Sequence, residues 1–183
     1  MSIRDEIKIR INEGRLFRLE PRIIGDAKAR TVLMSIEINS MVNGPWPDGP
    51  MGNRCARLRA ELENFVSGEP ITVCWNPFEA RDTHQMGRLD KVADEIWDYR
   101  SVDPEPGLRI FCRFAERDVL VALTCSPRSV PVSWLPRLPL LKGVSNEWKI
   151  AKRECRAEWA KLFPTYEPMN GEHVNDYITN RVL

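Results

Sequence analysis

Four arginines are the residues whose type and spacing could support chemistry on a phosphate group. Arg109 and Arg113 are four residues apart in an alternating segment, so on a β-strand they share one face at a separation of about 13 Å. Arg100 precedes this segment, and Arg128 follows the next apolar segment. A guanidinium is a poor general base, but it binds phosphates and stabilises negative charge that grows during attack on a phosphate. The four arginines are therefore candidate phosphate contacts.

An aromatic side chain separates two of these arginines. Phe111 lies between Arg109 and Arg113 on the same predicted strand face. Guanidinium groups with an interleaved aromatic ring can bind single-stranded RNA through charge and stacking, which makes Phe111 and Arg113 candidate nucleic-acid contacts. The alternative is that this is simply the solvated polar face of an antiparallel sheet, where arginine is common.

The composition favours no other catalytic class. The carboxylates near the predicted sheet are typical of solvated turns, and His84 and His173 lie in a loop and in the C-terminal segment, with no nucleophile motif near them. Neither histidine has a second ligand at zinc-site spacing, so we expect no metal and no cofactor. The widely spaced cysteines predict reduced thiols in the cytoplasm. They are Cys55, Cys74, Cys112, Cys125 and Cys155.

Positive charge is concentrated in one part of a nearly neutral chain. The whole sequence has a net charge of +1, but residues 128–161 contain eight basic and three acidic side chains. An acidic segment follows. The basic segment is either a surface that binds anions or one solvated face of a helix. On the first interpretation, the nucleic-acid contacts include Lys142, Lys149, Lys152 and Arg153.

The first half of the chain predicts two helices and a strand. Asp26 is a suitable N-cap for a helix over 27–41, and apolar residues at three- and four-residue steps predict a helix over 54–66. The β-branched segment 71–75 predicts a strand, and 76–89 an irregular loop.

The second half predicts a meander and a C-terminal helix. Three segments, 96–100, 108–114 and 119–125, are separated by polar turns, as expected for antiparallel strands. A proline-rich connector over 126–143 leads to a helix over 146–163, which has an apolar stripe. No run of eighteen apolar residues predicts a membrane span.

The strings on these elements resemble the RelE/ParE toxin superfamily, in particular its HigB-like, phage-associated branch. They are IWDYRS at 96–101, GLRIF at 107–111, VLVALT at 119–124 and EWKIAKR at 147–153. Trp97 and Arg100 match the branch's W-E-x-R strand, and Arg109 matches its x-R-x-x-Y/F strand. The third strand and the helix are matched by Val121, Leu123, Arg128, Glu147 and Ala151.

This resemblance implies an α+β, RelE-like fold in which helices pack on a small antiparallel sheet with a C-terminal helix. It divides the chain into an N-terminal arm (1–26), the RelE-like domain (27–163) and a C-terminal tail (164–183). Members are cytosolic endoribonucleases of toxin–antitoxin systems that cleave mRNA on ribosomes without a metal. The resemblance implies that Arg100, Arg109 and Arg128 are the catalytic residues, which contact or stabilise the phosphate. It also implies that the partners are a cognate antitoxin, mRNA and the ribosome.

A second hypothesis belongs to a different functional class. The near-neutral charge, the proline-rich connector and the acidic tail also fit a non-catalytic phage or prophage protein that uses the same fold to bind a protein or a nucleic acid. The sequence does not indicate an oligomeric state.

Overall fold

The structure is a computed structural model that describes residues 2–22, 29–79, 83–127, 141–179 and 181–182. For residues 127, 141–146 and 181–182 only the backbone is described.

The described residues form a sheet of eight strands in the order β1-β2-β7-β6-β5-β4-β3-β8. The strands are β1 (Phe17–Arg18), β2 (Thr31–Met34), β3 (Ile71–Cys74), β4 (Met86–Arg88), β5 (Trp97–Ser101), β6 (Leu108–Glu116), β7 (Val119–Pro127) and β8 (Arg181–Val182). Strand β2 is parallel to β7, and β3 is parallel to both β4 and β8. The other neighbouring pairs are antiparallel, so the sheet is mixed.

Helices cover both faces of this sheet. They are α1 (Ile3–Asn12), α2 (Ile36–Asn43), α3 (Pro50–Ser67), α4 (Leu141–Leu162) and α5 (Val174–Tyr177). One apolar cluster joins the sheet to α2, α3 and α5, and a second joins it to α1 and α4. Strand β7 contributes Leu120 to the first cluster and Val121 to the second, which explains why its sequence is apolar on both sides.

The predicted fold, a RelE-like arrangement of helices on a small antiparallel sheet, is wrong. The sheet is larger and mixed because β2 and β3 join it through parallel pairs with strands distant in sequence. The chain is still α+β, but α1 and α4 bury the sheet face that the prediction left open to solvent.

Most of the helices and strands that the sequence predicted are confirmed, but the irregular loop predicted over 76–89 is wrong at its end, where β4 forms. The meander is confirmed as β5, β6 and β7, and the helices expected over 54–66 and 146–163 are α3 and α4, each beginning a few residues earlier. The helix expected over 27–41 is wrong, because its middle pairs with β7 as β2. Ser35 then begins α2 by accepting a hydrogen bond from the Ile38 N–H at 3.3 Å. Asp26 lies outside the described residues.

Helix α1 and the C-terminal segment up to Thr179 pack against the central sheet. Ile7 of α1 belongs to the second apolar cluster, and Tyr177 of α5 is fully buried in the first. The Asp118 carboxylate, in the turn between β6 and β7, accepts a 2.8 Å hydrogen bond from the Thr179 N–H. The C-terminal segment is therefore docked on the sheet.

Candidate nucleic-acid interface

Helix α4 separates its charges onto two sides. Its apolar stripe, which includes Trp159 and Cys155, packs on the sheet. One flank contains Lys149, Lys152, Arg153 and Arg156, and the other contains Glu147, Glu154 and Glu158. The acidic flank faces α2, where burial raises the pKa of Glu37 and the charges of Glu154 and Glu158 raise it further. The basic flank faces the connection between β4 and β5.

A cleft of about 670 Å³ lies between the basic flank and this connection. Its lining contains five cations, Lys91, Lys149, Lys152, Arg153 and Arg156, against two carboxylates, Asp90 and Asp94. The side chains of Trp148 and Ile150 complete the lining. The described lining therefore has a net charge of +3 and includes apolar surface.

Two of the five cations are paired across the cleft. The Arg156 Nη1 atom lies 2.7 Å from Oδ2 of Asp94, and Lys152 contacts the Asp90 carboxylate. No carboxylate among the residues that the structure describes pairs with Lys91, Lys149 or Arg153. These three exposed cations are available to an anionic ligand.

The connection that forms the opposite wall has a fixed backbone. Lys91 and Glu95 are both left-handed, with φ of 56° and 48°, and they bracket a short 3-10 turn. The buried Glu95 carboxylate pairs with Arg88 and accepts a 2.7 Å hydrogen bond from the Tyr177 hydroxyl. Arg113 donates to the carbonyl oxygen of Asp94. These buried contacts offset the cost of the left-handed residues and hold the wall against the sheet.

The arginines predicted to be catalytic converge on an internal carboxylate. Arg100 and Arg109 are directly opposite each other on β5 and β6. The Asp98 carboxylate, which is fully buried, lies 2.8 Å from Nε of Arg100 and 3.2 Å from Nε of Arg109. Arg128, the third predicted catalytic residue, lies outside the described residues.

A glycine makes room for this ion cluster. Gly87 is opposite Asp98 in the pairing of β4 with β5. A Cβ atom at Gly87 would lie 2.8 Å from Nη2 of Arg100 and 3.0 Å from Oδ1 of Asp98. This relationship was not predicted from the sequence, although a glycine within a strand is a signal of close approach by another group.

The other residues predicted on β6 lie between the sheet and α4. Phe111 is fully buried, with its ring centre 5.2 Å from that of Trp148. The guanidinium carbon of Arg113 is 5.4 Å from the centre of the Trp159 ring, and burial lowers the pKa of Arg113. Phe111 and Arg113 therefore support α4 and the cleft wall from beneath.

Of the basic residues predicted on the helix, Lys149 and Arg153 are exposed, whereas Lys152 is buried. Lys149, Lys152 and Arg153 all line the cleft, whereas the side chain of Lys142 lies outside the described part of the chain. Lys91 and Arg156, which also line the cleft, were not predicted as site residues from the sequence. Arg156 could have been found, because it is one turn beyond Lys152 and Arg153 on the same flank.

The cleft offers positive charge and apolar surface. Its described lining residues include no His, Cys, Ser or Tyr. Across the described residues, no group of three or more His, Cys, Asp or Glu side chains is arranged to hold a metal ion. The excess of cations in the lining suits this cleft to the binding of anions.

No helix in the described ranges combines the length and apolar character needed to cross a membrane.

Comparisons with known proteins give no relative of this chain. No protein-family model, no curated protein and no solved structure matches it.

Proposed function

We propose that this chain is a non-catalytic binding protein that holds the phosphate backbone of a nucleic acid in the cleft beside α4. The observation that supports this proposal is the excess of cations in the lining, five against two carboxylates. Phosphate contacts of this kind supply most of the sequence-independent affinity for nucleic acids.

The spacing of the cations favours a polymer with regularly repeated charges. Lys149, Arg153 and Arg156 follow one helix flank over about 10 Å of helix axis. Lys91 faces them from the opposite wall. A strand lying along the cleft could contact several of these side chains in succession, whereas a single small anion would contact one or two.

The surroundings of Arg100 and Arg109 favour binding over cleavage. Both guanidinium groups contact the buried Asp98 carboxylate. Arginines engaged with an internal carboxylate are poorly placed to stabilise a phosphate under attack. The non-catalytic hypothesis therefore has more support than the endoribonuclease that the resemblance implies.

The proposal is tested by fluorescence anisotropy with a labelled RNA of about 20 nucleotides at about 0.1 M salt. We expect Lys149→Ala combined with Arg153→Ala to weaken binding by about tenfold or more, because both side chains line the cleft without a described acidic partner. The slope of log affinity against log salt concentration should fall by about 1.4, since each phosphate contact contributes about 0.7 for a single strand.

A matched control removes the same amount of charge elsewhere. Arg57 on α3 and Arg117 in the β6–β7 turn have side chains 55% and 56% exposed. Arg57→Gln combined with Arg117→Gln should bind RNA within about twofold of the unsubstituted chain, because neither residue lines the cleft. Equal losses in the two double variants, or no binding by the unsubstituted chain, would contradict the proposal.

Gel analysis of the same samples separates binding from cleavage. We expect the RNA to remain intact. Cleavage by the unsubstituted chain, lost in a folded Arg109→Lys variant, would instead support the endoribonuclease.

A further inference from the structure

Trp148 lies where the interior of the protein meets the basic cleft. Its side chain is half-buried and lines the cleft together with Lys149 and Lys152. Trp148 belongs to the apolar stripe of α4, and the next residue along the helix is the exposed Lys149.

Buried contacts hold the Trp148 ring in place. The guanidinium carbon of Arg109 lies 4.6 Å from the ring centre, and Phe111 meets the ring edge-on at 5.2 Å. Arg109 is held in turn by the Asp98 carboxylate. An aromatic ring that is already ordered loses little conformational entropy when a ligand packs against it, so such a ring is well suited to stacking.

We infer that the ligand of the cleft is single-stranded and that Trp148 stacks with one of its unpaired bases. This inference rests on the proposed function and extends it from the backbone to the bases. Lys149 and Arg153 hold phosphates beside the stacked base, and Ile150, which is 42% exposed, adds apolar surface within the same lining. A duplex keeps its bases paired and stacked within the helix, so it offers the cleft only its backbone.

The test compares two oligomers of equal length and charge with the unsubstituted protein. One is an oligothymidylate of about 15 nucleotides, and the other is the same backbone with every base replaced by a tetrahydrofuran abasic unit. We expect the oligothymidylate to bind about tenfold more tightly, because one stacked base contributes on this scale. A thymidylate–adenylate duplex of the same length should bind less tightly than the single strand.

The outcomes distinguish this inference from the proposed function. Equal affinity for the base-containing and abasic strands would overturn stacking and leave backbone binding intact. A duplex that binds as tightly as the single strand would also overturn the inference. Binding of neither strand would contradict the proposed function itself.

A pair of tryptophan substitutions locates the stacking site. Trp148→Leu keeps apolar packing against Phe111, and we expect it to remove the advantage of the oligothymidylate while binding of the abasic strand changes by less than about twofold. Trp46→Leu is the matched control, because Trp46 is also half-buried with an arginine, Arg22, 5.0 Å from its ring centre, but does not line the cleft.

Loss of the advantage of the oligothymidylate in both tryptophan variants, or in neither, would contradict the assignment to Trp148. Circular dichroism checks that each variant is folded. If Trp148→Leu does not fold, the binding of the oligothymidylate and of the abasic oligomer to the unsubstituted chain still tests the stacking inference.

Discussion

Arg109 on the sheet and Trp148 on α4 form a cation–π contact in which the guanidinium carbon lies 4.6 Å from the ring centre. The same guanidinium lies 3.2 Å from the Asp98 carboxylate. Arg109 thus contacts both a buried carboxylate and an aromatic ring that lines the basic cleft. The stability of this interior cluster and the position of the cleft ring are therefore physically linked.

Replacing Asp98 with Asn tests how much the interior cluster contributes to stability. The substitution deprives Arg100 and Arg109 of the carboxylate that both contact. We expect the free energy of unfolding to fall by about 3 kcal/mol, as is typical when one partner of a buried ion pair is removed. Urea denaturation followed by circular dichroism measures the change.

Asp90→Asn is the control for this substitution, because the Asp90 carboxylate is 53% exposed and pairs with one cation, Lys152, whereas the Asp98 carboxylate is fully buried and contacts two. Its effect should stay below about 1 kcal/mol. Similar losses in the Asp98 and Asp90 variants would show that the interior cluster contributes no more than a surface pair.

Local sequence pattern was sufficient to predict the meander and two of the long helices. The alternation in β6 and the turn residues before β7 are properties of neighbouring residues, which is why this part was correct. The parallel pair of β2 with β7 joins Thr31 to Val119. Such a pairing leaves no periodic signal in sequence, and the apolar segment 31–34 was assigned to a helix instead.

The site was predicted in part, because the same pattern does not show which sheet face is covered. Arg109, Phe111 and Arg113 do share one face, but that face lies beneath α4. The continuous apolar sequence of β7 was the available signal, since a strand that is apolar on both sides is buried on both sides. The basic flank of α4 was recognised because charge at three- and four-residue steps depends on the helix alone. Lys91, on the opposite wall, depends on tertiary folding.

Thiol reactivity provides a test of core packing. Cys112 and Cys155 are fully buried, and burial raises the pKa of Cys155 to about 12. At about pH 8 only about one Cys155 in ten thousand would then be a thiolate, the form that reacts. We expect Ellman's reagent to modify these two cysteines slowly in the native protein, and all five cysteines of the chain rapidly after unfolding in guanidinium chloride.

Mass spectrometry of partly modified protein identifies the thiols that react first. Free glutathione under the same conditions gives the rate for an exposed thiol. Modification of Cys155 in the native protein at a comparable rate would contradict its burial between α4 and the sheet.

The hydroxyl of Tyr177 should stabilise the folded protein, because it donates a hydrogen bond to Glu95 in the wall of the cleft. It donates to Oε2 of Glu95 at 2.7 Å and accepts from the Gly171 N–H at 2.6 Å. Tyr177→Phe leaves a buried carboxylate oxygen and a backbone donor without this partner. We expect a loss of about 2 kcal/mol in the free energy of unfolding, measured by urea denaturation.

Tyr99→Phe is a suitable comparison, because the Tyr99 hydroxyl donates to a neutral acceptor, the Glu61 carbonyl oxygen, at 3.0 Å. Hydrogen bonds to neutral groups contribute less than those to charged groups, so its loss should be about 1 kcal/mol. A smaller loss for Tyr177→Phe than for Tyr99→Phe would show that the hydroxyl does not anchor Glu95.

The two carboxylates in the cleft should compete with a nucleic acid for its cations. Asp90 pairs with Lys152, and Asp94 pairs with Arg156. A phosphate that approaches either cation must therefore displace the carboxylate that already contacts it. We expect Asp90→Asn combined with Asp94→Asn to increase the affinity for an oligothymidylate by about tenfold at about 0.1 M salt. The slope of log affinity against log salt concentration should become steeper by about 1.4, since two more cations become available to phosphates.

Asp48→Asn combined with Asp103→Asn removes the same charge from exposed positions outside the cleft lining, and should increase affinity by less than about twofold. If the two double variants gained equally, the effect would come from the overall charge of the chain, and the pairs across the cleft would have no part in controlling access to it.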